Sequence, residues 1–196
     1  FFKANKLKIN TKKTKLVCFR KNSGHINYEN FPVYFDGDLL EYEEEATFLG
    51  LRLDCNLNWA SHCSHVANTI SKNNSIINRA KKVLPTSSLK ILYGSLVLPH
   101  IQYGLAAWGG CSGNNLKRVV NIQKRAIRTI CKSYITSHTE PRMKQLKLLK
   151  LEDLYKQQCA MLIHDIINKR APTQMTNLVS WGNESNGHRL RSQNEN

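Results

Sequence analysis

The chain changes from strand to helix within Phe48-Leu49-Gly50-Leu51-Arg52-Leu53-Asp54-Cys55-Asn56-Leu57-Asn58-Trp59. Residues 47–53 have the apolar composition of a strand, and Gly50 within them leaves the backbone open to close approach. Asn58 is a residue type that caps helices, and apolar residues recur after it at helical spacing. We therefore predict a strand over residues 47–53 and a helix that is capped by Asn58.

Upstream of this boundary, the sequence predicts a small and mostly antiparallel sheet. Residues 15–19 have the composition of a strand. Apolar and polar residues alternate weakly over residues 31–35, which predicts a strand. Asp36-Gly37 is a strong hairpin turn signal, and residues 39–42 are predicted to form the returning strand. Residues 2–8 have the pattern of a helix end.

Downstream of the boundary, the pattern is helical. Breaks at Pro85 and Gly109-Gly110 separate successive helices, and Pro99 starts or kinks one of them. Further helices are predicted over residues 116–132, 140–148 and 152–169, the last with an apolar stripe of Tyr155, Cys159, Leu162, Ile163 and Ile166. Beyond Trp181 the chain is polar and is predicted to be disordered. The fold class is therefore predicted to be α+β, with a small antiparallel sheet followed by a mainly α-helical bundle.

The net charge of +15 over 196 residues favours a polyanionic partner. Residues 1–21 hold eight Lys or Arg and no acid, residues 116–150 hold ten against Glu140 alone, and residues 36–45 hold six acids and no base. Two basic zones on either side of an acidic hairpin suggest an oriented binding surface. The simpler interpretation of the hairpin is a solvated turn.

The six cysteines have no framework spacing and no signal peptide is recognisable, which predicts an intracellular protein, cytoplasmic or nuclear, and not a secreted one. The longest apolar stretch, from Leu89 to Trp108, is interrupted by Lys90 and Pro99. No membrane partner is therefore expected.

The helix predicted over residues 116–132 concentrates charge of one sign. Its apolar residues fall on one side, and six cations fall within an arc of roughly 120° on the other: Lys117, Arg118, Lys124, Arg125, Arg128 and Lys132. A solvated face normally mixes charges of both signs. A row of cations at helical spacing can follow a nucleic-acid backbone without reading bases, so these six residues are the predicted phosphate-binding set. A plain solvated face and a membrane-surface helix are the alternatives.

Other site chemistry has little support in the sequence. The Cys55, His62, Cys63 and His65 spacing does not suit four converging zinc ligands, and no metal site is predicted. Ser61-His62 is adjacent in sequence and has no orienting acid, and Gly109-Gly110 lacks the Lys-Ser/Thr of a phosphate-binding loop.

Several short blocks, in their order and spacing, resemble the reverse transcriptases of non-LTR (LINE-type, Jockey-like) retrotransposons. The blocks are Asn5-Lys6-Leu7-x-Ile9-Asn10-x-x-Lys13-Thr14-Lys15, Phe48-Leu49-Gly50 with Leu57-Asn58-Trp59-x-x-His62, Leu92-Tyr93-x-Ser95-Leu96-x-x-Pro99-x-x-x-Tyr103 with Trp108, and Leu116-x-x-Val119-x-x-x-Gln123-Lys124-x-Ala126-Ile127-Arg128. The resemblance covers roughly residues 1–172 and implies a right-hand polymerase fold.

The resemblance implies three regions, with residues 1–56 as the end of the palm, 57–135 as a helical thumb and 136–180 as a helical connector. The composition adds residues 181–196 as a polar, disordered tail. The resemblance also implies that Phe48, Leu49 and Gly50 support the primer 3′ end and that Lys13 assists at the leaving pyrophosphate. The partner implied is an RNA–DNA hybrid, or an RNA or DNA phosphate backbone, held together with the fingers and palm of the complete polymerase.

The family's two adjacent catalytic aspartates are not found in this sequence, which contains no Asp-Asp pair and begins at Phe1. We therefore expect a C-terminal part of the polymerase that is inactive alone, with no cofactor of its own and Mg²⁺ needed only by the complete enzyme. The alternatives are a stand-alone or domesticated basic helical module that binds RNA or DNA without enzymatic activity, and the translated product of a decayed gene copy.

Overall fold

Within residues 4–8, 10–21, 31–35, 37–134 and 136–176, which the computed structural model describes, the β structure consists of two antiparallel hairpins and one isolated bridge. β1 (Tyr34–Phe35) pairs with β2 (Asp38–Leu39), which confirms the hairpin predicted around Gly37. β3 (Glu45–Phe48) pairs with β4 (Leu51–Asp54), with Phe48 opposite Leu51. Asp36, residues 1–3 and the tail predicted to be disordered lie outside the described residues.

The single strand predicted over residues 47–53 is wrong, because the chain reverses at its centre. Leu49 and Gly50 both have positive φ, 46° and 81°, and form the two-residue turn between β3 and β4. Such turns normally carry Asn-Gly or Asp-Gly, and a leucine in the first position gives no turn signal. The turn is stabilised instead by a tertiary contact, a hydrogen bond from the Tyr103 hydroxyl to the Leu49 carbonyl.

The upstream predictions also need correction. Residues 15–19 do not form a strand, since only Leu16 makes a bridge, in parallel to Tyr42. Residues 4–6 form a turn, and the helical segment that follows is a short 3-10 helix, Thr11–Lys13. A strand needs a partner over several residues, and this segment finds one only at Leu16.

Eight helices follow the hairpins in the described part of the chain. They are α1 (Ala60–Ala80), α2 (Thr86–Leu96), α3 (Leu98–Gln102), α4 (Leu105–Trp108), α5 (Gly113–Ile130), α6 (Glu140–Leu146), α7 (Leu151–Ile167) and α8 (Thr173–Thr176). Pro99 lies in the first turn of α3, where its missing N–H costs nothing. The predicted α+β class is confirmed.

One core joins the helices of the first unit, which ends at Tyr155. α1 and α5 pack along each other and bury the apolar stripes that their sequences predicted. Trp108 and Tyr93 are the largest side chains sealed inside this core. The side of α5 that carries cations is thereby turned away from α1's buried stripe.

The second unit begins at Lys156, within α7, and includes α8. The sequence predicted that Ile163 and Ile166 both belong to the buried apolar stripe of α7. This prediction is only partly correct, since Ile166 is buried whereas Ile163 is about half exposed. The predicted region boundaries at residues 56 and 135 stay a prediction. No helix in the described part combines the length and the apolar character needed to cross a bilayer.

Two side chains, Asp54 and Asn58, accept hydrogen bonds from the backbone around the start of α1. The Asp54 carboxylate accepts hydrogen bonds from the backbone N–H groups of Asn56, Asn58 and Trp59, at 2.9–3.2 Å. The prediction that Asn58 caps α1 is wrong by one residue: the N-cap is Trp59, which has a φ of 65°, and the Asn58 side-chain oxygen accepts from the Ala60 N–H at 2.9 Å from the position before it. Asp54 therefore ties the end of β4 to the beginning of α1.

A buried glutamine connects three helices. The Gln123 carboxamide nitrogen on α5 donates to the Tyr93 hydroxyl of α2 and to the Leu149 carbonyl, both at 3.1 Å. Its oxygen accepts from the N–H of Leu151, the first residue of α7, at 3.0 Å. Both N–H groups of the carboxamide and its oxygen thus have partners inside the protein.

Replacing Gln123 with leucine should lower the free energy of unfolding by roughly 2–4 kcal/mol, since the buried Leu151 N–H and the Leu149 carbonyl lose their partner. Urea unfolding followed by circular dichroism measures this change. Asn121→Leu, at an exposed position of the same helix, is the control and should change stability by less than about 0.5 kcal/mol. Equal effects of the two substitutions would show that the buried amide has no special role.

Two glycine-to-alanine substitutions should change stability in opposite directions. Gly50→Ala should destabilise the protein by about 1 kcal/mol, because alanine is strained at a φ of 81°. Gly94→Ala, inside α2 with open space around the added methyl group, should stabilise it by about 0.5–1 kcal/mol. The same urea titration compares them, and a stabilising Gly50→Ala would contradict the turn geometry.

Candidate nucleic-acid interface

α5 separates its apolar and charged residues. Val119, Ala126, Ile127 and Ile130 are buried in the core. The opposite side, which we call the basic face, carries four exposed cations and the half-buried Arg128: Lys117, Arg118, Lys124, Arg125 and Arg128. The structure thus brings together five of the six predicted phosphate-binding residues on one helix.

Lys132 does not continue this face as the helical wheel predicted. α5 ends at Ile130, and Lys132 has a φ of 50°, outside the helix. The Ser133 N–H returns to the Arg128 carbonyl at 3.0 Å, which closes the helix end in the way a glycine usually does. A lysine in this position gives no signal that a helix stops.

Carboxylates do not neutralise the basic face within the described residues. None of its five cations belongs to an ion pair there. Arg118 donates to the Asn68 side-chain oxygen at 2.7 Å, and the Arg128 Nε donates to the Ser137 carbonyl at 2.9 Å. Five like charges on a short helix repel one another, so an arriving polyanion would relieve this repulsion.

The other basic zone, near the N-terminus, is partly neutralised by the acidic segment that follows the first hairpin. Lys15 pairs with Glu43, and the Arg20 guanidinium lies 2.8 Å from a Glu44 carboxylate oxygen. Lys13 is exposed at the end of the 3-10 helix. The two basic zones therefore differ, because the ion pairs found in the described residues involve cations of the N-terminal zone and none of those on the basic face of α5.

Tyr103 holds the β3–β4 turn from the helical side. Its hydroxyl donates to the Leu49 carbonyl, and a methyl group added at Gly50 would lie 3.5 Å from its ring. Trp108 in turn donates its indole N–H to the Tyr103 carbonyl at 2.9 Å. Phe48 and Leu49 remain 62% and 74% exposed, so the predicted primer-supporting turn presents apolar side chains to solvent.

The sequence does not predict the contact between Tyr103 and the β3–β4 turn. The two positions are 54 residues apart, and no local pattern in the sequence connects them. Gly50 faces the ring of Tyr103. The space left by its missing side chain was predicted to admit a ligand, and the tyrosine ring occupies part of that space.

His62 is a packing residue with one fixed hydrogen bond. It is buried between Trp59 and Trp108, whose rings it meets edge-on, and its Nδ1 accepts from the Arg52 N–H at 3.3 Å. Burial, and to a lesser extent the charges of His65 and Arg52, lower the pKa of His62 below its ordinary value of 6.5. His62 is therefore neutral, with its proton on Nε2.

The cysteines near His62 are used in other contacts. The Cys55 thiol donates to Glu44 at 2.8 Å, and the Cys63 sulfur lies 3.7 Å from that of Cys111. Among the residues described, no group of three or more His, Cys, Asp or Glu is placed to hold a metal ion.

Two curated proteins of Drosophila melanogaster are similar to this chain in sequence. The "Probable RNA-directed DNA polymerase from transposon BS" is 27% identical over 139 residues, which cover 68% of this chain and 15% of that protein. The "Probable RNA-directed DNA polymerase from transposon X-element" is 26% identical over 151 residues, 74% of this chain and 16% of that protein. The resemblance to a transposon RNA-directed DNA polymerase is confirmed at this level, and the chain matches only about 15% of the length of these relatives. No protein-family model and no solved structure matches.

The stability contributed by neutral His62 should be lost in acid. The unfolded chain takes up a proton at His62 as the pH falls through about 6.5, whereas the folded protein, with its lowered pKa, takes it up only at lower pH. The stability difference between wild type and His62→Asn should therefore narrow between about pH 7 and pH 5. Urea unfolding at each pH measures it, with His100→Asn as the control at an exposed imidazole. Parallel pH profiles for wild type and His62→Asn would contradict the lowered pKa.

Proposed function

We propose that this chain is the part of a non-LTR, Jockey-like reverse transcriptase that holds the primer–template hybrid, with the helices of residues 57–135 acting as the thumb and those of residues 136–180 as a connector. The single observation that supports this most is the basic face of α5, whose five cations have no carboxylate partner within the described residues. The similarity to transposon RNA-directed DNA polymerases supplies the reaction class.

The proposed binding mode depends on phosphates and not on bases. Lysine and arginine bind phosphate oxygens through charge and hydrogen bonds, and each neutralised phosphate releases counterions. The side chains of Lys117, Lys124 and Arg125 are exposed and make no hydrogen bond or ion pair with the described part of the chain. They would follow the hybrid's backbone without selecting its sequence.

The β3–β4 turn is proposed to support the primer end. Phe48 and Leu49 are exposed apolar side chains on a turn held in place by Tyr103. Such side chains can pack against sugars and bases at a duplex end, while a held turn keeps them at a constant position. For Lys13 we propose the assisting role at pyrophosphate that its motif implies, since its side chain is exposed.

The chemical step is proposed to need residues that this sequence does not contain. No Asp-Asp pair occurs here, and the family's two Mg²⁺-binding aspartates would come from elsewhere in the complete polymerase. This chain would then contribute affinity and position for the hybrid. Nucleotide addition by the chain alone is not expected.

The test is binding of a fluorescent RNA–DNA hybrid by anisotropy over a salt series, with wild type beside Lys117→Glu/Lys124→Glu/Arg125→Glu. These three cations are chosen because Arg118 and Arg128 also make hydrogen bonds within the protein. The variant should bind weakly, and the slope of log affinity against log salt should be smaller in magnitude by about 2–3 units. The control Arg79→Glu/Lys82→Glu/Lys144→Glu changes net charge equally at exposed positions outside α5.

Selective loss in the first triple variant, with the folded state checked by circular dichroism, would support the proposal. Equal losses in both variants would show that only net charge matters. No binding by wild type would overturn the proposed role of the basic face.

A further inference from the structure

A cleft of about 570 Å³ opens beside the basic face. One wall is α5, through Val120, Lys124 and Arg128, and the opposite wall is formed by residues 136–141. The buried side chains of Gln123 and Leu151 also line it. A cleft of this size lies within the range of roughly 300–1,000 Å³ that is typical of small-molecule sites.

The charges around the cleft leave a site for an anion. Its two acids, Glu140 and Glu152, lie 4.0 and 3.4 Å from the Lys150 ammonium. Lys124 and Arg128 have no carboxylate partner within the described residues. Two cations thus remain available on the α5 side for a phosphate.

Arg128 is held in position before any ligand arrives. Its Nε donates to the Ser137 carbonyl on the opposite wall at 2.9 Å, and its side chain is half-buried. Its two Nη groups make no hydrogen bond or ion pair with the described residues. A guanidinium fixed in this way loses little conformational entropy when it binds a phosphate through its remaining donors.

The rest of the cleft suits a larger group than phosphate. Val120, Pro141 and Met143 supply apolar surface, Thr136 supplies a hydroxyl group at an exposed position, and His138 offers an exposed ring on which a base can stack. A duplex keeps its bases stacked on one another and could place only its backbone here. A single strand can turn one base out into such a space.

We infer that this cleft binds one unstacked nucleotide of a single-stranded nucleic acid, with its phosphate held by Lys124 and Arg128. The inference rests on the proposed function, because it assumes that the basic face meets nucleic acid. It adds a second ligand class, a single strand such as the unpaired part of a template. It also assigns that strand a site that shares Lys124 with the basic face but does not include Lys117, near the start of α5.

The experiment fills the cleft and leaves the charges unchanged. Thr136→Trp places a large side chain at an exposed position of the lining, and Ser87→Trp is the control at an exposed position outside the lining. Anisotropy measures binding of a labelled RNA of about eight nucleotides and of an RNA–DNA hybrid of about sixteen base pairs. Lys124→Ala and Lys117→Ala, one lysine in the cleft lining and one outside it on the same helix, form a second pair that does not depend on the tryptophan.

We expect Thr136→Trp to weaken single-strand binding by about tenfold or more, because a base can no longer enter, and to leave hybrid binding within about twofold of wild type. Ser87→Trp should change neither, and Lys124→Ala should weaken single-strand binding more than Lys117→Ala does. Unchanged single-strand binding by Thr136→Trp, or equal losses for both ligands, would overturn the inference.

The two proposals fail in distinguishable ways. If wild type binds the hybrid but not the single strand, the cleft has no nucleotide site and the proposed function stands. If wild type binds neither ligand, the proposed function fails and this inference fails with it.

Discussion

The buried carboxamide of Gln123 is the interaction on which the helical part of this chain depends. It joins α5 to α2 through Tyr93 and to the entry of α7 through Leu149 and Leu151. Each of these groups would carry a desolvation cost without its partner, so the three segments are held in one arrangement. That arrangement places Lys124 of α5 and Lys150, the residue before α7, in the lining of the same cleft. The apolar packing of α1 against α5 and this neutral hydrogen-bond network together hold α5 with its charged side in solvent.

Charge compensation separates the two basic zones of the chain. The N-terminal zone faces the acidic segment, and the Lys15–Glu43 and Arg20–Glu44 pairs reduce its positive field. The Lys15–Glu43 pair is exposed and contributes little to stability, whereas Arg20 is mostly buried beside Glu44. They do, however, reduce the charge that is available to a nucleic acid. α5 has no such compensation in the described residues, which is why its cations are the stronger candidates for phosphate binding.

The β3–β4 hairpin depends on the helices for its conformation. A two-stranded hairpin is marginal by itself in water, and this one has a leucine in a left-handed turn position. Tyr103 holds the Leu49 carbonyl, and His62 accepts the Arg52 N–H. His62 and Tyr103 both contact Trp108, through ring packing and an indole hydrogen bond. The exposed apolar turn is thus positioned by residues that lie in the helical region.

Local patterns in the sequence were sufficient to predict four features. These are the α+β class, the apolar stripes of α1 and α5, the hairpin at Gly37 and the one-sided charge of α5. These features depend on periodicity and on turn chemistry between residues close together in the chain. The sequence did not show the reversal at Leu49-Gly50, the end of α5 before Lys132 or the exposure of Ile163. The first two are backbone conformations with positive φ at residues that rarely adopt them, and the third concerns burial, which depends on what packs nearby. The cleft beside α5 likewise could not be predicted from the sequence. Its two walls are joined by the hydrogen bond from Arg128 to the Ser137 carbonyl, and helical periodicity does not predict a contact between a helix and the loop that follows it.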